Sequence, residues 1–227
     1  MTRYRQHCPV AAAAEVLNDS WTLLILRDLA EGRASRSDLA AGLPGITPAL
    51  LTKRLGELTK AGLVVKAAAR GGSRFALTEA GRDLVPVIDR LGRWANRHLP
   101  PPRVSDLDPG LLARDLCRGV DTAALPALPL VVHIRFTESA APPRWWLMLS
   151  RDGAAATQVD PGLPAAVRID CAIGALAGVW LGHRTWGEAV RDQAIRLTGT
   201  REAVRAVIGC LGVSRYASRD APPVRTG

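Results

Sequence analysis

Three consecutive prolines, Pro100–Pro102, stand near the middle of the chain. Proline fixes its own φ angle and has no N–H to donate, so three in a row cannot continue a helix or lie inside a sheet. Residues 100–105 are therefore predicted to form a stiff, extended linker. A chain of 227 residues is long enough for two small domains. We predict one domain in residues 1–99, a second in residues 106–216 and a flexible tail in residues 217–227.

The net charge is positive and is divided unequally between the two predicted domains. The chain carries a formal charge of +9, from 30 basic and 21 acidic residues, and residues 1–100 hold 15 of the basic and 9 of the acidic ones. A positive excess favours an anionic partner such as nucleic acid, although a GC-rich genome also raises the arginine content without a functional cause. The charge leaves both explanations open, but its position favours an anion-binding surface in the N-terminal half.

The cysteines and the hydropathy pattern argue against several classes of protein. The four cysteines lie far apart and form no CxxC pair, namely Cys8, Cys117, Cys171 and Cys210. We therefore expect neither a disulfide framework nor a metal site, and no other cofactor. No apolar stretch reaches the roughly 18 residues that cross a bilayer, and the N-terminus lacks the apolar region of a signal peptide. The expected location is the cytoplasm, with no membrane partner.

The first domain shows a succession of short helices followed by a β-hairpin. Apolar spacing and capping residues predict helices over residues 10–18, 21–30, 36–41, 48–61 and 79–97. The residues predicted to cap them are Ser20, Ser35, Thr47 and Thr78. Asp38 follows Ser35 at the spacing of a capping box. Strands are predicted over residues 63–69 and 74–77, joined by a tight turn.

Two short helices joined by a tight turn and followed by a basic hairpin predict a winged helix-turn-helix. The helix over residues 48–61 places Leu51, Leu55 and Leu58 on one stripe, which leaves its other side to enter a major groove. The residues predicted to contact DNA from this helix are Thr47, Pro48, Ala49, Thr52, Lys53 and Arg54. Hydroxyls and cations bind bases or phosphates, and the helix N-terminus adds backbone donors for a phosphate.

The turn of the hairpin is the predicted wing. It carries two arginines on a glycine-rich tip, which suits a minor groove or the phosphate backbone. Its residues are Arg70, Gly71, Gly72, Ser73 and Arg74. Ser35 and Arg36, at the start of the preceding short helix, are further candidates for phosphate contacts. The alternative is a small helical domain with a charged face and no DNA contact, but the order of the elements favours DNA binding.

Five motifs follow one another across residues 7–64. They are His7-Cys8-Pro9-Val10, Asn18–Leu29, Leu43–Pro48, Leu51–Leu58 and Ala61–Val64. In this combination the chain resembles the HxlR family of bacterial winged-helix regulators, over about Cys8 to Arg97. The resemblance implies a homodimer that binds double-stranded DNA at a pseudo-palindromic operator, with the first and last helices of the domain at the dimer interface. We expect a repressor, with an activator as the alternative. Phe75 stands where the family usually has tyrosine, and the wing is shorter than usual.

Cys8 has two interpretations. In some members of that family the cysteine of this motif senses oxidants or electrophiles, which makes Cys8 a candidate redox site. The other interpretation is that Cys8 packs as a small apolar residue near the dimer interface. Apart from His7, the sequence shows no cationic neighbour that would activate the thiol, which favours packing.

The second domain shows a mixed pattern. Strands are predicted over residues 130–137, 144–150, 154–160, 165–170 and 194–198, and helices over residues 109–119, 171–181 and 201–211. A further short helix follows Thr185, whose spacing to Glu188 is that of a capping box. The fold class predicted for the chain is therefore α+β, with a mainly helical N-terminal domain.

Four short motifs lie within residues 106–216. They are Trp145-Trp146-Leu147, Asp160-Pro161-Gly162, Val179-Trp180-Leu181-Gly182 and Ile195–Gly199. With the order of the elements, they resemble the sterol-carrier-protein-like domain, which implies a sheet with helices on one side, an apolar tunnel and an apolar small-molecule effector. The candidate pocket residues are Trp146, Leu147, Ile173, Leu176 and Trp180. The other interpretation is that the tryptophans belong to the core and the domain only packs the dimer.

The histidines form no recognisable catalytic constellation. They are His7, His98, His133 and His183, and none lies in a nucleophile elbow, a glycine-rich phosphate loop or a metal-ligand cluster. We therefore expect a regulator and not an enzyme. The alternative function is a carrier of lipids or other apolar small molecules whose winged helix serves in protein interaction.

Overall fold

A computed structural model describes residues 4–69, 72–125, 128–138 and 143–217. The chain divides into two compact units, Met1–Leu91 and Gly92–Gly227. The division falls within a helix and ahead of the three prolines. The domain limits inferred from the sequence stay predictions, and the expected tail lies outside the described residues from residue 218 onward.

The N-terminal unit consists of helices and one β-hairpin. Its helices are α1 (Pro9–Leu17), α2 (Thr22–Ala30), α3 (Arg36–Gly42), α4 (Pro48–Lys60) and α5 (Glu79–Asp83), and α6 (Val85–His98) begins in it. Strands β1 (Val64–Ala69) and β2 (Gly72–Leu77) pair antiparallel, with Val64 opposite Leu77. This order of elements is the winged helix-turn-helix expected from the sequence.

Side-chain caps set where three of these helices begin. The Ser35 hydroxyl accepts a hydrogen bond from the Asp38 N–H, and the Asp38 carboxylate accepts one from the Ser35 N–H. The hydroxyls of Thr47 and Thr78 each accept one N–H of the helix that follows. The capping box and both threonine caps are confirmed, and each satisfies backbone donors that a first helical turn leaves unpaired.

The predicted cap of α2 is wrong. The helix begins at Thr22, and the residue before it, Trp21, has a φ of 71° and makes no side-chain capping hydrogen bond. The Ser20 hydroxyl is engaged elsewhere, 3.5 Å from Nη2 of Arg54 in α4. Because Trp21 holds the N-cap position, the helix begins one residue later than predicted, and Ser20 stands one residue too early to cap it.

The single helix predicted over residues 79–97 is also wrong, because the structure breaks it into α5 and α6. The break lies at Leu84, two residues before Pro86. Proline has no N–H for the carbonyl four residues earlier, here that of Arg82, and its ring crowds that carbonyl. The chain therefore restarts a helix at Val85.

The core of the N-terminal unit is mainly aliphatic. The predicted stripe of α4 is confirmed, since Leu51, Leu55 and Leu58 are at most 3% exposed. They belong to one cluster with buried side chains of α2, α3, the hairpin and α6, among them Ile25, Leu26, Leu39, Phe75 and Ile88. Burying this stripe turns the opposite side of α4 toward solvent.

The C-terminal unit contains a five-stranded sheet. Its strands are β3 (Leu130–Phe136), β4 (Arg144–Ser150), β5 (Gly153–Thr157), β6 (Val167–Cys171) and β7 (Ile195–Gly199), and its helices are α7 (Pro109–Arg118), α8 (Ile173–Trp180), α9 (Trp186–Arg191) and α10 (Arg201–Cys210). The spatial order is β5-β4-β3-β6-β7, in which β3 and β6 are parallel and the other neighbours antiparallel. The predicted α+β class is confirmed.

The core of this unit lies on one face of the sheet. Successive residues of a strand point to opposite faces, so Val132 and Ile134 of β3 share a face with Leu147 of β4. These side chains form one cluster with buried residues of α7, α8 and α10. His133 and Trp146 point to the other face, where their rings stack with centroids 4.9 Å apart.

Among the residues described, none of the helices combines the length and the hydropathy that crossing a membrane requires.

Candidate nucleic-acid interface

The side of α4 opposite its leucine stripe is exposed. The exposed residues at its N-terminal end and on this side of its first three turns are Thr47, Pro48, Ala49, Thr52, Lys53 and Gly56, and we call them the α4 outer face. Lys60, at the C-terminal end of the helix, is exposed on the same side but is not included in this set. Five of the six predicted DNA contacts from this helix belong to it. Only Lys53 adds a charge, and its side chain is 66% exposed, with Nζ 3.9 Å from Oε1 of Glu57. An exposed pair at this distance binds weakly, so the ammonium remains available to an anion.

Arg54, the sixth predicted contact, does not lie on the α4 outer face. Its side chain is 11% exposed, and Nη1 lies 2.8 Å from Oδ2 of Asp19 and 2.7 Å from Oε2 of Glu57. Asp19 belongs to the segment before α2. The placement therefore assigns Arg54 to bracing α4 against that segment, and it does not support a direct contact with DNA.

Gly56 was not predicted from the sequence as a site residue, yet it lies in the middle of the α4 outer face. A Cβ at this position would meet no heavy atom within 4 Å, so packing does not require glycine here. Glycine in a helix costs about 1 kcal/mol relative to alanine. The lack of a side chain leaves the helix backbone open to a close approach from outside.

The predicted wing is described in part. Arg70 and Gly71 lie outside the described residues. Gly72 has a φ of 131°, and Ser73 and Arg74 follow it in β2, with Arg74 exposed. The described part of the wing therefore offers one arginine next to the turn.

The structure brings Arg74 together with the start of α3. Ser35 forms an antiparallel bridge with Arg74, and the N–H of Phe75 donates to the carbonyl of Ala34 at 2.7 Å. The Arg36 guanidinium lies over the Phe75 ring, 5.5 Å from its centroid. Ser35, Arg36 and Arg74 thus form one neighbourhood, although the Ser35 hydroxyl already caps α3.

A buried ion-pair cluster, which sequence analysis missed, fixes the geometry between α2 and α3. Asp28 is fully buried, and its carboxylate accepts hydrogen bonds from Arg27 and Arg33. A Cβ on Gly42 would meet the Arg33 guanidinium and the Asp28 carboxylate, so a larger residue at the end of α3 would displace this ion pair. The available signal was Asp28 itself, an acidic residue on the apolar side of α2.

Cys8 differs from the other three cysteines. It is exposed and immediately precedes α1, whereas Cys117, Cys171 and Cys210 are buried. Burial raises the pKa of the Cys117 and Cys171 thiols to about 12 and also raises the pKa of Cys210. Among the described cysteines, the thiol most open to reagents is therefore the predicted redox candidate, whose redox role stays a prediction.

Four of the five residues predicted to line an apolar pocket lie together in or against the core, and the fifth, Trp146, does not. Leu147, Ile173 and Leu176 are at most 5% exposed within the core, and Trp180 packs against that core. Trp146 lies on the opposite face of the sheet, because it is adjacent to Leu147 in β4. The prediction overlooked this alternation when it placed both in one pocket.

The face that carries Trp146 is rich in charge. His133 is 9% exposed, and its Nε2 is buried without a hydrogen-bond partner. Burial lowers the pKa of His133, with further lowering by Arg168 and Arg144, while Asp170 and Asp160 act in the opposite direction. This histidine is therefore held toward its neutral form. Among the described residues, no group of three or more histidine, cysteine, aspartate or glutamate side chains is arranged to hold a metal ion.

Residues 16–103 match the family model described as an HxlR-like helix-turn-helix. An HTH-type transcriptional regulator of Methanothermobacter thermautotrophicus is 30% identical over 94 residues, which are 40% of this chain and 72% of that protein. The HTH-type regulator Rv3095 of Mycobacterium tuberculosis is 38% identical over 96 residues, which are 41% of this chain and 60% of that protein. These relatives support a DNA-binding transcriptional regulator.

A solved structure is also similar in part. The transcriptional regulator YodB of Bacillus subtilis, in its reduced form, is 26% identical with a TM-score of 0.37 and covers 43% of this chain and 100% of its own. The sterol-carrier-like assignment of the C-terminal unit stays a prediction. At 30% identity over 72% of the archaeal regulator, and with the ordered helices and hairpin of its N-terminal unit, the chain belongs to the HxlR-like helix-turn-helix family of transcriptional regulators.

Proposed function

We propose that this protein is a repressor that binds a pseudo-palindromic operator as a homodimer through the α4 outer face. The observation that carries the proposal is the division of α4 into a buried leucine stripe and an exposed side with hydroxyls, a lysine and a glycine. A major groove admits one α-helix. The exposed side presents small and cationic groups there, and no bulky apolar side chain blocks its approach.

Each part of this surface has a distinct task in the proposal. Thr52 and Lys53 project from the second turn of α4 and contact base edges, where hydroxyl and ammonium groups donate to purine acceptors. The first turn of α4 offers the Ala49 N–H to a phosphate, because Pro48 has no N–H and the N–H groups of Leu50 and Leu51 bond to Thr47. Arg36 and Arg74 contact the phosphate backbone beside the groove, which orients the protein without selecting sequence.

The homodimer is supported by apolar surface that the chain itself leaves uncovered. None of the nine residues of α1 is buried, and Val10 is 75% exposed. On α6, Val87, Leu91 and Trp94 are 56%, 46% and 52% exposed, and their spacing of four and three places them on one stripe. An isolated helix as short as α1 is marginal in water. Contact with a second copy would stabilise α1 and cover the exposed apolar side chains of α6.

The C-terminal unit is proposed to bind an effector. The five-stranded sheet with its core on one face agrees with what the sterol-carrier-like resemblance implied. Mass spectrometry of the purified, undenatured protein tests whether an apolar molecule co-purifies. The carrier alternative gains support if the protein transfers lipid between vesicles and shows no salt-sensitive binding to duplex DNA.

Selection of bound duplexes from a random pool tests the proposed function directly. We expect the full-length protein to enrich an inverted repeat whose half-sites are one helical turn apart, about 10 base pairs, or a multiple of it. Enrichment of a single unrepeated site would contradict the homodimer. Failure to enrich any sequence over the starting pool would contradict the DNA-binding function itself.

A further inference from the structure

A pocket of about 290 Å³ lies within the C-terminal unit at the end of α6. Its walls include Ala95, Asn96 and Leu99 from the end of α6, the prolines Pro100–Pro102, Leu181 and His183 after α8, and Tyr216. The Tyr216 ring lies so close to Gly92 that a Cβ on Gly92 would be 2.5 Å from Cδ1 of the ring. Three segments that are far apart in the sequence therefore meet around one small volume.

Asn96 holds these walls together. Its Nδ2 donates to the carbonyl of Leu181 at 2.9 Å and to the carbonyl of Tyr216 at 3.2 Å. Its Oδ1 lies 2.8 Å from Nε2 of His183. Both donor hydrogens and the acceptor oxygen of the Asn96 amide are therefore bonded within the protein, and the amide stabilises the walls and does not bind a ligand.

Apart from His183, whose Nε2 is bonded to Asn96, and Tyr216, whose ring packs against Gly92, the remaining wall is apolar. Pro100–Pro102 have no N–H to donate, and Leu99 and Leu181 contribute only methyl groups toward a ligand. A buried anion requires hydrogen-bond donors or a cation to offset its lost hydration. The pocket supplies an apolar surface with its main amide already occupied, so it favours a neutral ligand.

The volume sets the size of the occupant. Ligand pockets usually measure about 300–1,000 Å³, so this one lies at the small end of that range. If each non-hydrogen atom takes the ~30 Å³ that a water molecule takes in the liquid, about ten such atoms fit. One fused-ring aromatic molecule therefore fits this volume.

We propose that this pocket is a binding site for a small, neutral aromatic molecule of about the size of indole. The site differs from the pocket predicted from the sequence, since it shares none of those five residues. A ligand here contacts the last turn of α6, whose first turns belong to the winged-helix unit. Binding itself does not depend on the proposed function and is measured without DNA.

Methyl NMR on the full-length protein, with ¹³C-labelled leucine methyls, tests the site with indole as the probe. We expect indole to shift the methyl resonances of Leu99 and Leu181 in a saturable manner, and indole-3-carboxylate to shift them at least tenfold less at equal concentration. The Ala95→Phe variant places a ring in the pocket and should abolish the shifts. Arg93→Phe, which adds the same ring on an exposed part of α6, should keep them.

A second variant tests the site if Ala95→Phe fails to fold. Leu99 is 48% exposed, so Leu99→Trp is tolerated by the fold and partly fills the pocket, and the Leu181 methyls then report on indole. Unsaturable shifts, equal response to the carboxylate, or undiminished binding by the filled variants would overturn the proposal. A changed dimer dissociation constant in those variants without indole binding would also overturn it, because a side chain of a second copy would then be the occupant.

Discussion

At the scale of single residues, Asp28 makes the N-terminal unit sensitive to one carboxylate. It is fully buried and its charge is balanced by Arg27 and Arg33. Removing one partner of a buried ion pair leaves an uncompensated charge, which costs about 3–5 kcal/mol. We expect Asp28→Ala to lower the free energy of unfolding by that amount in urea denaturation.

An exposed ion pair provides the control for this prediction. Asp192 pairs with Arg184 and its side chain is 57% exposed. Asp192→Ala should cost less than about 1 kcal/mol, because exposed pairs are solvated and screened. Equal costs for Asp28→Ala and Asp192→Ala would contradict the structural role given to Asp28.

His133 links stability to pH. Burial, then Arg168 and Arg144, lowers its pKa below 6.5, against the opposing effect of Asp170 and Asp160. The unfolded chain then binds the proton more readily, so stability is fully present above pH 6.5 and falls as the pH decreases toward the lower folded pKa. His133→Phe, which keeps an aromatic ring in the stack, should reduce the loss of unfolding free energy between about pH 7.5 and about pH 5.5. Equal losses of unfolding free energy in His133→Phe and the wild type would contradict the role given to His133.

The cysteines predict a selective alkylation pattern. Iodoacetamide reacts with exposed thiolates, and burial raises the pKa of Cys117, Cys171 and Cys210. We expect mass spectrometry of the folded protein to find a single alkylated residue, Cys8, and Cys8→Ser to prevent labelling. Labelling of a second cysteine before unfolding would show that the core is open to the reagent.

At the scale of the elements, a substitution of Gly56 should affect the stability of α4 and its proposed DNA binding in opposite directions. Gly56→Ala should raise the free energy of unfolding by up to about 1 kcal/mol, because the new Cβ meets nothing within 4 Å. The same methyl should weaken DNA binding, since it lies on the α4 outer face. Gly209→Ala in α10, where a Cβ is equally free, should stabilise the protein without changing the dissociation constant for DNA. An unchanged constant for Gly56→Ala would contradict close contact at that position.

Local signals predicted the beginnings of helices because a cap needs only the next three residues. Ser35, Thr47 and Thr78 were predicted on this ground and confirmed. Prediction failed at α2, where Trp21 in the left-handed conformation takes the N-cap position that was predicted for Ser20. It also failed where one local rule was overlooked, namely the effect of Pro86 on a helix.

At the scale of the whole molecule, the sequence showed two parts but not the contacts that build the pocket. Asn96 bonds to carbonyls 85 and 120 residues later in the chain, and no periodicity or motif connects such positions. The exposure of Thr52 and Lys53 on the α4 outer face was predictable because it follows helical spacing. The ion pairs that divert Arg54 from that face were not, because Asp19 lies 35 residues away.

Dimerisation is predicted to depend on the exposed stripe of α6. Leu91→Glu places a carboxylate on that stripe, where burial against a second copy would cost its hydration. We expect sedimentation velocity to show a shift from dimer to monomer, with weaker operator binding as a consequence. Val159→Glu, at a position that is 75% exposed in a loop, should leave both unchanged. If Leu91→Glu remained a dimer, the interface would have to lie elsewhere.

Fluorescence anisotropy with a selected operator duplex measures whether the α4 outer face binds DNA. Lys53→Ala should raise the dissociation constant by about 5- to 150-fold, the equivalent of about 1–3 kcal/mol for a base contact. Lys60→Ala, which removes an exposed lysine at the last residue of the same helix, should have a much smaller effect. Equal dissociation constants for Lys53→Ala and the wild type would contradict DNA binding through this face.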